Sequence, residues 1–341
     1  MARPRSTGEP DLASLGELKL IERIREKVVL LSGMPEEGFV VEGIGDDTAV
    51  LKWGQGDDLL LFTCDTLVEK VHFPTGTQPY HIGWKAVASN LSDIAAMGGI
   101  PQCAAVSLAT PPGTPIADID DLYDGMVDLA VRFGVGIVGG DSVESPRGLI
   151  VTVAVIGKVE KNLYVSRSGA KPGNAICVTG SLGGSVLGKH LAFTPCVEEG
   201  RFLATTCSPT AMIDISDGLA SDLLKILQAS GVTAEVFEDS IPVSEEAVRL
   251  AKKQNRSPVE LALYDGEDFE LLFTLPKERV EKCAQLLRDN FRTPVAVIGM
   301  VKSGRAKPVL VKEDGTRVVL EAEGYEHFRR NQPKAARAGK G

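Results

Sequence analysis

The sequence predicts an α/β (α+β) protein of two domains. Three observations carry this: a length of 341 residues, strand-like and helix-like segments that alternate in both halves, and a polar, turn-rich break, VSRSGAKPGN, at residues 165–174. Domains usually run to about 100–200 residues, so the length suits two of them.

The elements follow in order. LGELKLIERIREKVVLL (15–31) is apolar at helical spacing and predicts the first helix. DTAVLKW (47–53) and DLLLFTCDTLVE (58–69) read as strands joined by a turn. YHIGWKAVASNLSDIAAMGG (80–99) is Ala-rich and closed by Gly98 and Gly99, which predicts a buried helix. QCAAVSLATP (102–111) is a strand, DIDDLYDGMVDLAVRFG (118–134) an amphipathic helix, and VGIVGGD (135–141) and GLIVTVAVIGKV (148–159) are β-branched strands. Beyond the break, AICVTGS (175–181), AEVFE (234–238), DFELLFTL (268–275) and VAVIGMV (295–301) predict strands. GGSVLGKHLAF (183–193), SEEAVRLAKKQ (244–254) and ERVEKCAQLLRDNF (278–291) predict helices, and AMIDISDGLASDLLKILQASG (211–231) a strand running into a helix. The expected domains are 17–160 and 161–330, with a disordered extension at 1–16 and a disordered tail at 331–341.

Composition excludes some functions. A net charge of −9 argues against a nucleic-acid partner, because neutralising phosphates needs a basic surface. No apolar run approaches the roughly 18 residues that span a membrane, and MARPRSTGEPDLASLG has no apolar signal core. The six cysteines, at positions 64, 103, 177, 196, 207 and 283, show no CxxC and no zinc spacing. They read as structural thiols in a reducing cytoplasm.

The chemistry lies in acidic motifs. These are GDD (Asp46, Asp47), TCDT (Asp65), NLSD (Asp93), GGD (Asp141), DISDG (Asp214, Asp217) and DGED (Asp265, Glu267, Asp268). Any one of them alone reads as a helix cap or a turn. As a set they say more. Asp93 sits in an apolar helix, where an unpaired carboxylate is costly. Asp65 and Asp141 follow apolar runs and Asp214 is embedded in one, which places them where open α/β sheets bind ligands. Lysines and arginines are not adjacent to most of these acids. Carboxylate-rich sets without His or Cys suit Mg²⁺, which usually brings phosphates with it. Asp46 and Asp47 then tolerate each other if one faces a cation and the other bonds backbone. GGSVLGKH (183–190) approaches phosphate-loop spacing, but His190 stands where Ser or Thr should hold the metal. It reads better as a glycine-opened helix.

GIGDDTAVL, TCDTLVEKVHF, KAVASNLSDIAAMGG, GGDS, SRSGAKPGN, IDISDGLASDL, GEDFELLFT and EGYEHF occur in this order over about residues 17–328. In this the chain resembles the thiamine-monophosphate kinases, relatives of aminoimidazole ribonucleotide synthase and selenophosphate synthetase. The resemblance implies an ATP-dependent phosphorylation of thiamine monophosphate to thiamine diphosphate, two α/β domains, and a homodimer formed through the N-terminal domains. It implies Mg²⁺ ligands at Asp47, Thr63, Cys64, Asp65, Asp93, Asp141, Asp214 and Asp217. It implies ATP contacts at Gly140, Asp141, Arg167 and Ser216, and thiamine phosphate contacts at His72, Glu267 and Tyr325. Cys64 departs from the usual threonine of that family. A soft thiol is a poor Mg²⁺ ligand, so a contact there requires the backbone oxygen. The alternatives are another ATP-using member of the superfamily, such as aminoimidazole ribonucleotide synthase, or a non-catalytic nucleotide or metal sensor.

Overall fold

The structure is a computed structural model that describes residues 12–31, 38–54, 56–321, 324–325 and 327–328. The tail at 331–341, and residues 1–11 of the expected extension, lie outside the described residues. Residues Leu12–Leu15 of that extension form a helical turn, α1.

The first half contains α2 (Glu17–Leu31), β1 (Val40–Glu42), β2 (Ala49–Lys52), β3 (Asp58–Val68), α3 (Pro79–Ala96), β4 (Ile100–Thr110), α4 (Ile116–Arg132), β5 (Gly136–Glu144) and β6 (Ile150–Glu160). Among the described residues its strands form a six-stranded sheet in the order β1-β2-β3-β6-β4-β5, antiparallel except for β4 beside β5. The second half contains β7 (Asn174–Thr179), α5 (Lys189–Ala192), α6 (Val197–Phe202), β8 (Ala211–Asp214), α7 (Leu219–Ser230), β9 (Thr233–Phe237), α8 (Glu245–Gln254), α9 (Pro258–Tyr264), β10 (Leu271–Pro276), α10 (Val280–Phe291), β11 (Val295–Lys302), β12 (Val309–Val311) and β13 (Arg317–Val319). Its described strands form a seven-stranded sheet, β13-β12-β9-β11-β7-β10-β8, in which only β9 and β12 pair in parallel.

Strand periodicity decides which face of the first sheet is buried. Along β3, Leu59, Leu61, Thr63 and Leu67 point inward while Phe62, Cys64 and Thr66 are exposed. The inward face is covered by α3, which also packs against α4, α5, α6 and β8. Helix α3 is therefore buried nearly all round, as its alanine-rich sequence requires. One core runs from Val50 and Leu61 of the first sheet through α3 to Phe273 and Leu287 of the second half.

Helices α3 and α4 approach backbone to backbone at Gly83 and Gly125. A Cβ on Gly83 would lie 1.9 Å from the Leu122 carbonyl oxygen, and one on Gly125 would lie 1.9 Å from that of Tyr80. Gly125→Ala is expected to cost about 1–3 kcal/mol through overpacking, read as a lower denaturant midpoint with an unchanged m-value. An unshifted midpoint would show that the helices separate freely.

Two expected elements differ. GGSVLGKHLAF is a single 3-10 turn, Ser185–Leu187, followed by the short α5, because Gly184 and Gly188 on either side of that turn hold positive φ. Asp65 and Asp141 lie inside β3 and β5 rather than at strand ends, so only Asp214 ends its strand.

Candidate active site

The acidic motifs meet where the two halves face each other. Asp47 comes from the loop between β1 and β2, Asp93 from α3 and Asp214 from the end of β8. One carboxylate oxygen of each lies within 4.8 Å of the others, an arrangement able to hold a metal ion. Asp47 and Asp214 side chains are each only 2 % exposed. Neighbouring hydroxyls fix the cluster: Thr63 Oγ1 donates to Asp93 Oδ2, and Ser92 Oγ donates to Asp214 Oδ2 at 2.7 Å. Burial, then repulsion from Asp65, Asp214 and Asp47, holds the Asp93 carboxyl well above the usual carboxylate range. The Asp214 carboxyl is raised by burial first and by Asp47 second. Asp65 sits beside this group, its carboxyl raised by burial and by Asp217 and Asp47. Its N–H, unpaired beyond the end of β2, is taken by Asn90 Oδ1 of α3 at 3.2 Å.

The two adjacent aspartates divide their work. Asp46 accepts the N–H of Asp47 at 2.9 Å and that of Arg167 at 3.0 Å, so it organises backbone. Burial and Asp47 push its carboxyl up to about 7. Asp47 Oδ1 accepts from Arg167 Nη2 at 2.6 Å, while its Oδ2 is buried with no hydrogen-bond partner among the described residues. An unpartnered buried carboxylate oxygen is expensive, and three converging oxygen donors match a hard divalent cation. The residues fit Mg²⁺.

The remaining metal candidates lie at different distances from this centre. Asp217 binds Lys225 Nζ at 2.6 Å, and its N–H is capped by Asp222 at 3.0 Å. Cys64 points to the opposite face of the sheet, with an exposed thiol, so its side chain is turned away from Asp93. Gly140 and Asp141 lie on the edge strand β5. Register with Ser107 puts Asp141 on the same exposed outer face as Cys64, away from the Asp47–Asp93–Asp214 cluster of its own chain. A Cβ at Gly140 would sit 1.7 Å from the Val106 carbonyl oxygen, so only glycine lets β5 run so close to β4. The lysines and arginines that sequence adjacency separates from the acids are brought to them by the fold: Arg167 to Asp46 and Asp47, Lys225 to Asp217, and Arg256 to Asp265 at 3.0 Å.

The candidate substrate residues form a second group. Glu267 follows a backbone turn held by its N–H to the Ser216 carbonyl at 2.7 Å, which joins GEDFE to DISDG. His72 accepts the Val68 N–H on Nδ1 at 2.9 Å, and burial, then His327 and Lys85, lowers its pKa to about 4. Tyr325 donates its N–H to the Asp217 carbonyl at 3.0 Å, and its ring meets His327 edge-on with centroids 4.8 Å apart. His327 lies 5.2 Å from the His72 ring. The phosphate-loop lookalike is excluded as a cradle. The Gly183 N–H donates to both oxygens of Asp268 at 2.9 Å, and Lys189 pairs with Glu270 at 2.7 Å.

Comparison with known proteins shows the family. Residues 45–159 match the N-terminal domain of AIR synthase related proteins and residues 171–312 match the C-terminal domain. A thiamine-monophosphate kinase of Bacillus subtilis is 38% identical over 314 residues, covering 84% of this chain and 93% of the relative. The chain belongs to the thiamine-monophosphate kinase family. A thiamine-monophosphate kinase of Aquifex aeolicus is 33% identical over 93% of this chain and 99% of its own length. A solved structure described as AaThiL complexed with AMPPCP and TMP superposes with a TM-score of 0.79 at 30% identity, covering 94% of this chain and 99% of that one.

Two residues of this thiamine-monophosphate kinase family member escaped the sequence reading. Lys85 of α3 pairs with Glu267 and donates to the His72 carbonyl oxygen at 2.9 Å. His327 joins Tyr325 to His72. Lys85 stands inside the quoted motif KAVASNLSDIAAMGG, but a lysine in a helix reads as a solvated charge until tertiary structure buries it.

Proposed function

We propose that the chain phosphorylates thiamine monophosphate with ATP, giving thiamine diphosphate and ADP, by direct in-line transfer that requires Mg²⁺. The observation that carries this is the convergence of Asp47, Asp93 and Asp214 with Asp47 Oδ2 buried and unpartnered. AMPPCP, in the similar structure, is a methylene analogue of ATP. Phosphoryl transfer depends on positioning and charge neutralisation more than on covalent chemistry.

Asp47, Asp93 and Asp214, with Asp65 and Asp217, are the residues that would hold Mg²⁺. Bound there, the metal supplies positive charge to the ATP phosphates. The Thr63 and Ser92 hydroxyls keep the Asp93 and Asp214 carboxylates aimed. Arg167 already lies against Asp47, and its planar fork suits phosphate oxygens. Ser216 stands between two of the acids and beside the Glu267 turn. On the acceptor side, the Glu267 carboxylate attracts the thiazolium cation, the Tyr325 ring offers a stacking face, and His72, held neutral, offers an uncharged imidazole. No Ser–His or Cys–His pair presents a nucleophile among the described residues, which favours transfer without a phosphoenzyme.

The outer face of the first sheet supports a homodimer. Phe62 and Ile156, paired across β3 and β6, are 44% and 38% exposed, and Val138 and Val143 on β5 are 71% and 49% exposed. An apolar face of this kind marks a contact surface. In a dimer built on it, Gly140 and Asp141 would lie at the interface. Sedimentation analysis is expected to give twice the 36.3 kDa chain mass, and a concentration-independent monomer would overturn this assembly. No described helix is long and apolar enough to cross a membrane, all six cysteines are free, and the net charge is −9. These support a cytoplasmic enzyme without a nucleic-acid partner.

The test is formation of thiamine diphosphate from thiamine monophosphate and ATP, with and without Mg²⁺. Mg²⁺-dependent product, with no phosphorylated enzyme isolated after ATP treatment, is the expected result. Faster turnover of formylglycinamidine ribonucleotide would move the chain to the cyclo-ligase reaction, and ATP binding without any product would make it a sensor.

A further inference from the structure

We propose that Lys85 is a positioning residue of the thiamine monophosphate site, acting through Glu267. The inference rests on the function proposed above and deepens it on the acceptor side.

Lys85 is among the largest fully buried side chains of the described residues, with 1 % of its surface exposed. Burying an ammonium group is costly unless it is paired and hydrogen-bonded, so a lysine at this depth needs fixed partners. It has two. Its Nζ donates to Glu267 Oε1 and to the His72 carbonyl oxygen. These partners come from distant parts of the chain: the turn after β3, and the loop before β10 in the second half. Lys85 itself projects from α3, two turns before Asp93. One ammonium group therefore ties two of the three candidate substrate residues, His72 and Glu267, to the helix that carries a candidate metal-site carboxylate.

The pair is asymmetric. Lys85 is sealed, whereas the Glu267 side chain is 34% exposed. Oε1 is committed to Lys85, which leaves Oε2 as the oxygen without that tie. The backbone at Glu267 has φ +56°, an unfavourable value for a residue with a side chain. An anchored carboxylate offsets that cost by fixing where the charge points. The lysine also has three donor hydrogens, and two partners take two of them among the described residues. Around it stand His72, His190 and Glu267. His72 and His190 are both held below the usual imidazole range, by burial first, and Lys85 adds to each shift. Two neutral imidazoles keep Lys85 and Glu267 as the local charges. A carboxylate fixed in this way presents a defined negative edge to a thiazolium ring. The phosphates of ATP, proposed above at Asp47, Asp93 and Asp214, would lie two turns along α3 from Lys85, so a loss at Lys85 is expected to fall on the acceptor and spare ATP.

The experiment uses Lys85→Met, Glu267→Gln and the double variant in the full chain, each checked for a wild-type thermal transition. Thiamine monophosphate affinity is measured by calorimetry, and KM is measured for both substrates. Lys85→Met is expected to weaken thiamine monophosphate on the order of 30-fold, as truncating one partner of a buried charge pair does, while the KM for ATP stays within about 3-fold. The double variant is expected to lose no more than the worse single variant, because Lys85 acts through Glu267. If Lys85→Met fails to fold, Lys85→Gln, which keeps a donor for the His72 carbonyl, carries the same measurement. Equal losses for both substrates, or additive losses in the double variant, would overturn the role while leaving the kinase reaction standing. A wild-type enzyme inert toward thiamine monophosphate would overturn the reaction and the role together.

Discussion

Asp47→Asn is expected to lower kcat/KM by about a hundred- to a thousandfold while the protein remains folded, the several kcal/mol that loss of a metal-held charge represents. The expectation follows from how its two oxygens are used. Oδ1 is engaged by Arg167 at 2.6 Å, and Oδ2 is buried without a partner beside Asp93 and Asp214. An asparagine keeps one acceptor for Arg167 and replaces the free acceptor by an NH₂ donor, which repels a cation. Asp46 continues to bind the Arg167 and residue-47 amides, so the loop keeps its shape. Steady-state kinetics across a Mg²⁺ series, beside a thermal melt, measure both halves of the statement. Near-wild-type turnover at unchanged Mg²⁺ demand would remove Asp47 from the metal site.

Asp93→Asn is expected to abolish most activity and, in metal-free protein, to raise stability by about 1–2 kcal/mol. The carboxylate is buried among Asp65, Asp214 and Asp47, and each of these raises its pKa. Replacing a repelled buried charge by a neutral isostere removes an uncompensated cost, a function-for-stability exchange seen at many active sites. The pH dependence has a definite sign. A carboxyl whose folded pKa lies above its ordinary 3.8 contributes stability that is present below that value and lost as pH rises through the folded pKa. Metal-free wild type should therefore lose stability over that range more steeply than the variant. Mg²⁺ works the other way. At about 100 times its dissociation constant it should stabilise wild type by roughly 2.7 kcal/mol, and much of that shift should vanish in the variant. Denaturant titrations with chelator and with Mg²⁺ give all three quantities. A variant less stable than wild type without metal would show that the cluster is not strained by its own charge.

Much of this was legible in the sequence because its signals are local. The Ala-rich run of α3, the alternation along β3 and the glycine stop after α4 fix those elements without reference to anything distant. The buried helix carrying Asp93 announced its need for a partner, and Thr63 meets that need. What was not legible depends on long-range pairing. Arg167 reaches Asp47 across 120 positions and Lys85 reaches Glu267 across 182, so the acids look unpaired when only neighbours are read. The phosphate-loop spacing at 183–190 is set aside in the sequence on His190, and the fold supplies the reason the sequence does not carry: Asp268 and Glu270, far along the chain, occupy the donors that a phosphate would need. The outward direction of Asp141 follows from its register with β4, which no strand pattern specifies alone.

The carboxylates of the candidate metal site are divided between the halves, Asp47 and Asp93 in one and Asp214 in the other, and a shared core joins them through α3. Neither half owns a working centre. Thermal inactivation then need not wait for either sheet to melt: a small hinge-like parting along α3 disperses the carboxylates while most backbone hydrogen bonds persist.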